Sequence, residues 1–177
     1  MNDTAISIRP ITARDDAAVA AIIRTTMTEF GCTGPGFAIH DPEVDAMSAN
    51  YRGPDAAYFV VESSGRVLGG GGFARLLGTG PAEATAELRK MYFRPELRGL
   101  GLGRRLLTAI LDAMRAAGYR EAYLETTTQM TAARALYASV GFVEVCAPCG
   151  ATGHHACDRF FRLDLRADPA RDRPIGP

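Results

Sequence analysis

Residues 87–107 read ELRKMYFRPELRGLGLGRRLL, and this stretch decides the fold. Its first part belongs to a strand over 86–94 that runs into Pro95. Beyond it, Leu102, Leu106, Leu107, Ile110 and Met114 form one apolar face of a long helix that Gly118 ends. Between strand and helix lies Arg98-Gly99-Leu100-Gly101-Leu102-Gly103. Glycine lets a backbone turn sharply and approach a ligand closely. The free N–H groups that open the helix, with its dipole, favour an anion at that turn. Arg104 and Arg105 add positive charge there. The turn therefore suits a phosphate or diphosphate. The competing reading is a tight strand-to-helix connection whose glycines serve packing alone. Two other nucleotide loops fit less well. A P-loop needs Gly-Lys-Ser/Thr at its end, and a dinucleotide fingerprint needs G-x-G-x-x-G, whereas here the glycines run G-x-G-x-G.

Upstream, residues 5–9 alternate and meet Pro10, giving a first strand. Thr12 opens a helix with Asp15 as its capping-box partner, and Val19, Ile22, Ile23, Met27 and Phe30 keep helical spacing. A Gly/Pro-broken loop over 30–42 precedes a short helix over 43–51. Strands over 57–62 and 67–77 form a hairpin around residues 63–65. The run Gly69–Gly72 weakens the second of these, so it marks a bulge or a close backbone approach, or leaves one face bare for a ligand. Downstream come a strand over 120–127, a helix over 131–140, and strands over 142–146 and 160–165. The order β-α-α-β-β-β-α-β-α-β-β predicts an α/β fold: a mixed, mostly antiparallel sheet of about seven strands flanked by helices.

A chain of 177 residues, 47% hydrophobic, suits one domain over 1–166. Residues 167–177 are Pro-rich and charged and read as a disordered tail. Twenty basic and twenty acidic side chains cancel, which argues against a nucleic-acid partner. No apolar run is long enough for a transmembrane helix, and no signal peptide is visible, so a cytoplasmic protein with reduced Cys32, Cys146, Cys149 and Cys157 is expected.

Arg98-x-x-Gly101-x-Gly103 resembles the R/Q-x-x-G-x-G/A signature of the GCN5-related N-acetyltransferases, the GNAT superfamily. The segment ARALYASVGF at 133–142 resembles that family's A-x-x-L-Y-x-x-x-G-F. The resemblance covers residues 5 to about 165 and implies an enzyme that uses acetyl-CoA as co-substrate, with no metal. It implies that Arg98, Gly99, Leu100, Gly101, Leu102, Gly103 and Arg104 hold the pyrophosphate, mainly through backbone N–H groups. Met91, Tyr92 and Phe93 would pair with the pantetheine arm as a strand does and offer an N–H to the thioester oxygen. Glu87, eleven residues before Arg98, resembles in spacing the catalytic glutamate of the histone acetyltransferase branch. Tyr137 occupies the family's Tyr position and would protonate the leaving thiolate. Met130 stands where many relatives carry Asn, and cannot make that residue's hydrogen bond to the arm. Many relatives pair, so a homodimer is an option.

On the acceptor side, the hairpin over 150–158 offers His154, His155, Cys157 and Asp158. Its Thr-Gly-His…Cys stretch resembles one in a branch of small bacterial acetyltransferases. His154 has a pKa near neutrality and is a candidate base. Cys157 is a candidate contact to the substrate. Glu125 and Thr126, at a strand end, are placed to meet a cationic acceptor, as are Asp41, Glu43 and Asp45. The competing reading for each carboxylate is a solvated surface charge. The spacing Cys146-x-x-Cys149-x4-His154-His155-x-Cys157 also admits zinc, against which stand reduced thiols in a turn. The acceptor expected is a primary amine on a small molecule or peptide. A CoA-binding module without turnover and a metal-binding domain are the alternatives.

Overall fold

Strand alternation and helical periodicity are realised nearly residue for residue in the computed structural model, which describes residues 6–166. The expected tail over 167–177 and the start of the first strand at residue 5 lie outside the described residues. In chain order the main elements are β1 (Ser7–Pro10), α1 (Asp16–Glu29), α2 (Met47–Asn50), β2 (Ala57–Ser63), β3 (Arg66–Arg75), β4 (Thr85–Phe93), α3 (Leu102–Ala116), β5 (Glu121–Thr126), α4 (Thr131–Val140), β6 (Val143–Val145) and β7 (Arg159–Asp164). The seven strands form one sheet in the order β1-β2-β3-β4-β5-β7-β6. Only β4 and β5 run parallel.

Two apolar layers sandwich this sheet. Leu102, Leu106, Leu107, Ile110, Leu111 and Met114 bury the inner face of α3 against one side. Each such side chain contributes roughly 1.5–3 kcal/mol of burial. Val19, Ile22, Ile23 and Met27 of α1 cover the other side together with Val44, Met47, Tyr58 and Val60. The expected helix over 43–51 is tighter than an α-helix for most of its length. Pro42–Ala46 is a 3-10 turn, and only Met47–Asn50 is α-helical. The capping pair also sits one turn earlier than α1 itself. The Thr12 N–H and hydroxyl both donate to Asp15, which opens the 3-10 turn Ala13–Asp15. Arg9 doubly hydrogen-bonds the same carboxylate and so ties β1 to that turn.

The glycine run Gly69–Gly72 does coincide with a register break. The extra residue, however, lies on the partner strand. Gly70 faces Tyr92 and Gly72 faces Arg89, so β4 advances by three residues while β3 advances by two. The glycines leave no bare face for a ligand, because neighbouring side chains fill the space. A Cβ on Gly69 would stand 2.4 Å from the Phe93 ring, and one on Gly70 2.7 Å from the Tyr58 ring. At Gly72 a Cβ would stand 2.3 Å from the Ala57 carbonyl oxygen. That contact is with backbone, which cannot turn aside. Gly72→Ala is therefore expected to lower stability by about 1–3 kcal/mol, an overpacking penalty. Thermal unfolding should register this as a lower Tm, and an unchanged Tm would mean that β2 and β3 separate without cost.

Candidate active site

Strands β4 and β5 pair only over Thr85–Glu87 with Glu121–Tyr123 and then part. The bulge lies just beyond this departure. Lys90 takes a left-handed backbone, φ 51°, which a lysine adopts only at a cost of about 1–3 kcal/mol. The Tyr58 hydroxyl donates to the Lys90 carbonyl at 2.9 Å and holds the bulge in place. The gap between the strands contains a cavity of about 60 Å³. Met91 and Tyr92 line it from β4, Glu125 and Thr126 from β5, and Tyr137 and Cys157 are also in its wall.

At one end of β4 the glycine turn adopts the shape the sequence leads one to expect. Gly99 and Gly101 both have left-handed backbones, φ 78° and 75°, and a Cβ on either would meet no atom within 4 Å. Open space above two left-handed glycines is what a ligand pressed against the backbone requires. The first intrahelical bond of α3 joins the Arg105 N–H to the Gly101 carbonyl. The amides of Leu102, Gly103 and Arg104 are thus left free by the helix to meet an anion. Gly103 serves packing instead. Its Cβ would lie 3.1 Å from Leu136, so it lets α3 and α4 approach. Arg98 turns its guanidinium away from this turn. It donates to both oxygens of Glu29 and to the Phe93 carbonyl, and lies over the Phe30 ring at 5.7 Å. Arg104 donates to Ser139 at 2.8 Å. The residues fit a diphosphate, and the fit rests on backbone donors more than on these two side chains.

On the α1 side of the sheet lies a buried ionic cluster. Ala86, Leu88, Ala122 and Leu124 join the core beneath α3, so Glu87, Arg89, Tyr123 and Glu125 face the other way by strand alternation. Glu87 is only 2% exposed and accepts from Arg89 Nε at 2.6 Å. His154 reaches in from the β6–β7 hairpin. Its Nε2 hydrogen-bonds Asp41 Oδ2 at 3.0 Å, and its Nδ1 stands 3.6 Å from Glu87 Oε1. Lys90 Nζ donates to Asp41 at 2.7 Å and also to Glu43, whose carboxylate further accepts from the Tyr51 hydroxyl. Sequence reasoning singles out Glu87 and His154 separately, and the structure brings them together. It also brings in Arg89 and Lys90, which carry no signal in the sequence. Asp45 stays outside, paired with Arg24 at the surface.

Glu125 differs from these carboxylates in having no cation in contact among the described residues. The Tyr123 hydroxyl donates to it at 2.8 Å. Burial raises its pKa, and the neighbouring Glu87 adds to the rise against the hydrogen bonds it accepts. Burial likewise pushes the Tyr137 phenol up to about 12 and the Cys157 thiol up to about 12. Both stay protonated at neutral pH, so Cys157 lacks the thiolate a nucleophile needs. Thr127, absent from the sequence candidates, has a buried hydroxyl without a hydrogen-bond partner among the described residues, and it lines the cavity. The residues that suggested zinc do not converge. Cys149 accepts from Arg162, Cys157 lines the cavity, Cys146 is exposed, and His154 lies between two carboxylates. Among the described residues no group of three or more potential ligands is placed to hold a metal.

Comparison with known proteins agrees with this fold. The profile of the acetyltransferase (GNAT) family matches residues 19–142. The chain belongs to the GNAT family of acetyltransferases. The uncharacterized N-acetyltransferase YjgM of Escherichia coli K12 is 40% identical over 152 residues, which are 85% of this chain and 90% of YjgM. Among solved structures, a GNAT acetyltransferase from Staphylococcus aureus superposes with a TM-score of 0.80 at 20% identity, over 91% of this chain and 99% of its own. The PaiA N-acetyltransferase from Thermoplasma acidophilum, solved with coenzyme A, gives 0.67 at 16% identity, over 90% and 99%. These two likenesses are of fold. In this GNAT chain no helix is long and apolar enough to cross a membrane among the described residues.

The ionic cluster has a measurable signature at His154. Burial disfavours its charge, but the hydrogen bond to Asp41 and the neighbouring Glu87 outweigh that and raise its pKa from 6.5 to about 9. In the unfolded chain the imidazole returns to the ordinary value. The protonated ring thus stabilises the fold fully below pH 6.5, and this contribution is lost as the pH rises through about 9. The imidazole resonances of His154 should titrate near pH 9, and Tm should fall between pH 6.5 and 9 more steeply than in His154→Gln. An NMR midpoint at or below 6.5 would contradict the arrangement.

Proposed function

We propose that the protein moves an acetyl group from acetyl-CoA to a primary amine of a small molecule or peptide, by direct attack and without an acyl-enzyme. The observation that carries this reading is the parting of β4 and β5. It joins a two-glycine anion turn to a cavity lined by Glu125 and Tyr137. In this reading the amides of Leu100 to Arg104 hold the pyrophosphate, and the free edge of Met91, Tyr92 and Phe93 pairs with the pantetheine arm. The orphan hydroxyl of Thr127 offers the polar contact that Met130 cannot.

The amine needs a free lone pair before it attacks, and Glu125 is the group best placed to accept its proton. It lines the cavity, and its raised pKa brings it closer to working pH. His154 keeps its proton at neutral pH, and Glu87 is held between Arg89 and His154, so these two orient the site and set its field. When the amine nitrogen bonds to the carbonyl carbon, an N–H of Met91–Phe93 meets the developing oxyanion. Collapse breaks the carbon–sulfur bond, and the second proton of the attacking nitrogen passes to the departing thiolate, which leaves as the thiol. A phenol near 12 is a weaker acid than a thiol, so Tyr137 serves the leaving sulfur as a hydrogen-bond donor.

Thiol release from acetyl-CoA across amines, amino acids, polyamines and peptides tests the activity. Glu125→Gln is expected to lower kcat by about 10²–10⁴-fold with CoA affinity retained. An unchanged kcat would move the base elsewhere. Gly101→Glu should abolish CoA binding measured by calorimetry, since it sets bulk and negative charge at a left-handed backbone position, and retained affinity would displace the pyrophosphate site.

A further inference from the structure

Lys90 is a buried lysine in an unfavourable backbone conformation at the point where β4 bends. A glycine would relieve that strain outright, yet the position holds a long charged side chain. The side chain is tied down completely. It is 1% exposed, and its Nζ bridges Asp41 and Glu43. These two carboxylates flank and begin the Pro42–Ala46 turn, which lies far away in sequence. Asp41 also holds His154 of the β6–β7 hairpin. The Lys90 carbonyl is fixed separately, by Tyr58. One residue thereby joins three segments: the bulge beside the thioester cavity, the turn after α1, and the hairpin facing the acceptor.

We propose that Lys90 is a positioning residue for the transfer: its ammonium clasp on Asp41 and Glu43 fixes the bulge so that the β4 amides turned away from β3, that of Met91 first, point into the cavity. The inference rests on the acetyltransferase reading above, in which those amides meet the thioester oxygen. The clasp spans the acceptor wall and the thioester wall. Aiming of the oxyanion donors and placement of the acceptor-side segment are therefore set together. The lysine accepts a strained backbone because only a long cation at this point reaches both carboxylates.

Lys90→Gly separates the clasp from the strain. Glycine suits the left-handed position, so the bulge is free to form but is no longer anchored. The expected result is a kcat lower by about tenfold to a hundredfold, with KM for acetyl-CoA within about threefold of the parent, as for a donor misplaced but not removed. Lys90→Met is the second variant, keeping the stem and losing the charge, and should show the same split. The direct readout is the infrared stretch of acetyl-CoA labelled with ¹³C at the thioester carbonyl. Binding to the parent should shift that stretch to lower frequency, and both variants should shift it less. A parent-like kcat and an undiminished shift in Lys90→Gly would overturn the role of Lys90 and leave the acetyltransferase reading standing. No shift in the parent itself would overturn the oxyanion assignment, and the inference with it. Should Lys90→Gly not fold, Glu43→Gln removes one arm of the clasp and must reduce the shift; an undiminished shift there also overturns it.

Discussion

The bulge at Lys90 is the constraint on which the site in this fold depends. β4 carries one additional residue against β3 just beyond the three positions at which it pairs with β5. A regular parallel ladder would have closed the sheet and satisfied every amide between the two strands. Instead, the edge over Met91 and Tyr92 faces a cavity in the gap between the strands. Backbone donors and acceptors left in such a gap need partners, and a ligand with amide groups supplies them in the manner of an added strand. The site is therefore a consequence of interrupted pairing, which no side chain creates alone.

The interruption is supported from both neighbours. On the β3 side, four consecutive glycines let the rings of Tyr58 and Phe93 and the stem of Met91 lie directly on the backbone. Tyr58 then reaches the Lys90 carbonyl. On the α1 side, Arg98 is drawn from the glycine turn to Glu29 and Phe30, which fastens the end of α1 beside the loop that leads to α3. The residues that shape the anion turn and those that shape the cavity are thus joined through α1 and β3. The turn is left to its backbone: two left-handed glycines and the first amides of α3.

The ladder of elements is legible in the residues because it depends on local rules. The α3 face repeats at helical spacing, the hairpin of β2 and β3 closes on Ser64-Gly65 with both residues left-handed, and Gly141 ends α4 in the same conformation. The glycine turn is legible for the same reason. The bulge is not, because its left-handed residue is a lysine, a type that carries no such preference. The glycine run marks the place but points to the wrong strand, since room cleared on β3 serves an irregularity on β4. The ionic cluster is hidden for a different reason. Asp41 and His154 are separated by 113 positions, and Lys90 and Asp41 by 49, so only the folded chain makes them neighbours. Solvated surface charge is the natural reading of Asp41 and Glu43 in isolation, and half-burial beside Lys90 replaces it.

Charge balance in that cluster bears on which group handles the proton. Asp41, Glu43 and Glu87 face Arg89, Lys90 and the protonated His154, and the six charges compensate one another. Removing one partner from a buried set of this kind leaves another uncompensated, at about 3–5 kcal/mol. A group inside the set is therefore poorly suited to gain and lose a proton in each turnover, because each change would disturb the whole. Glu125 lies next to the set but outside it, held by a neutral phenol. Its charge is the one that no protein cation cancels by contact among the described residues, and an ammonium entering the cavity would cancel it. Transfer of a proton from that ammonium to Glu125 would annihilate two opposite charges in a low-dielectric space and leave the compensated cluster as it was. The same balance explains the raised pKa of Glu125 before the amine arrives, since partial burial beside Glu87 with no cation in contact disfavours its charged form.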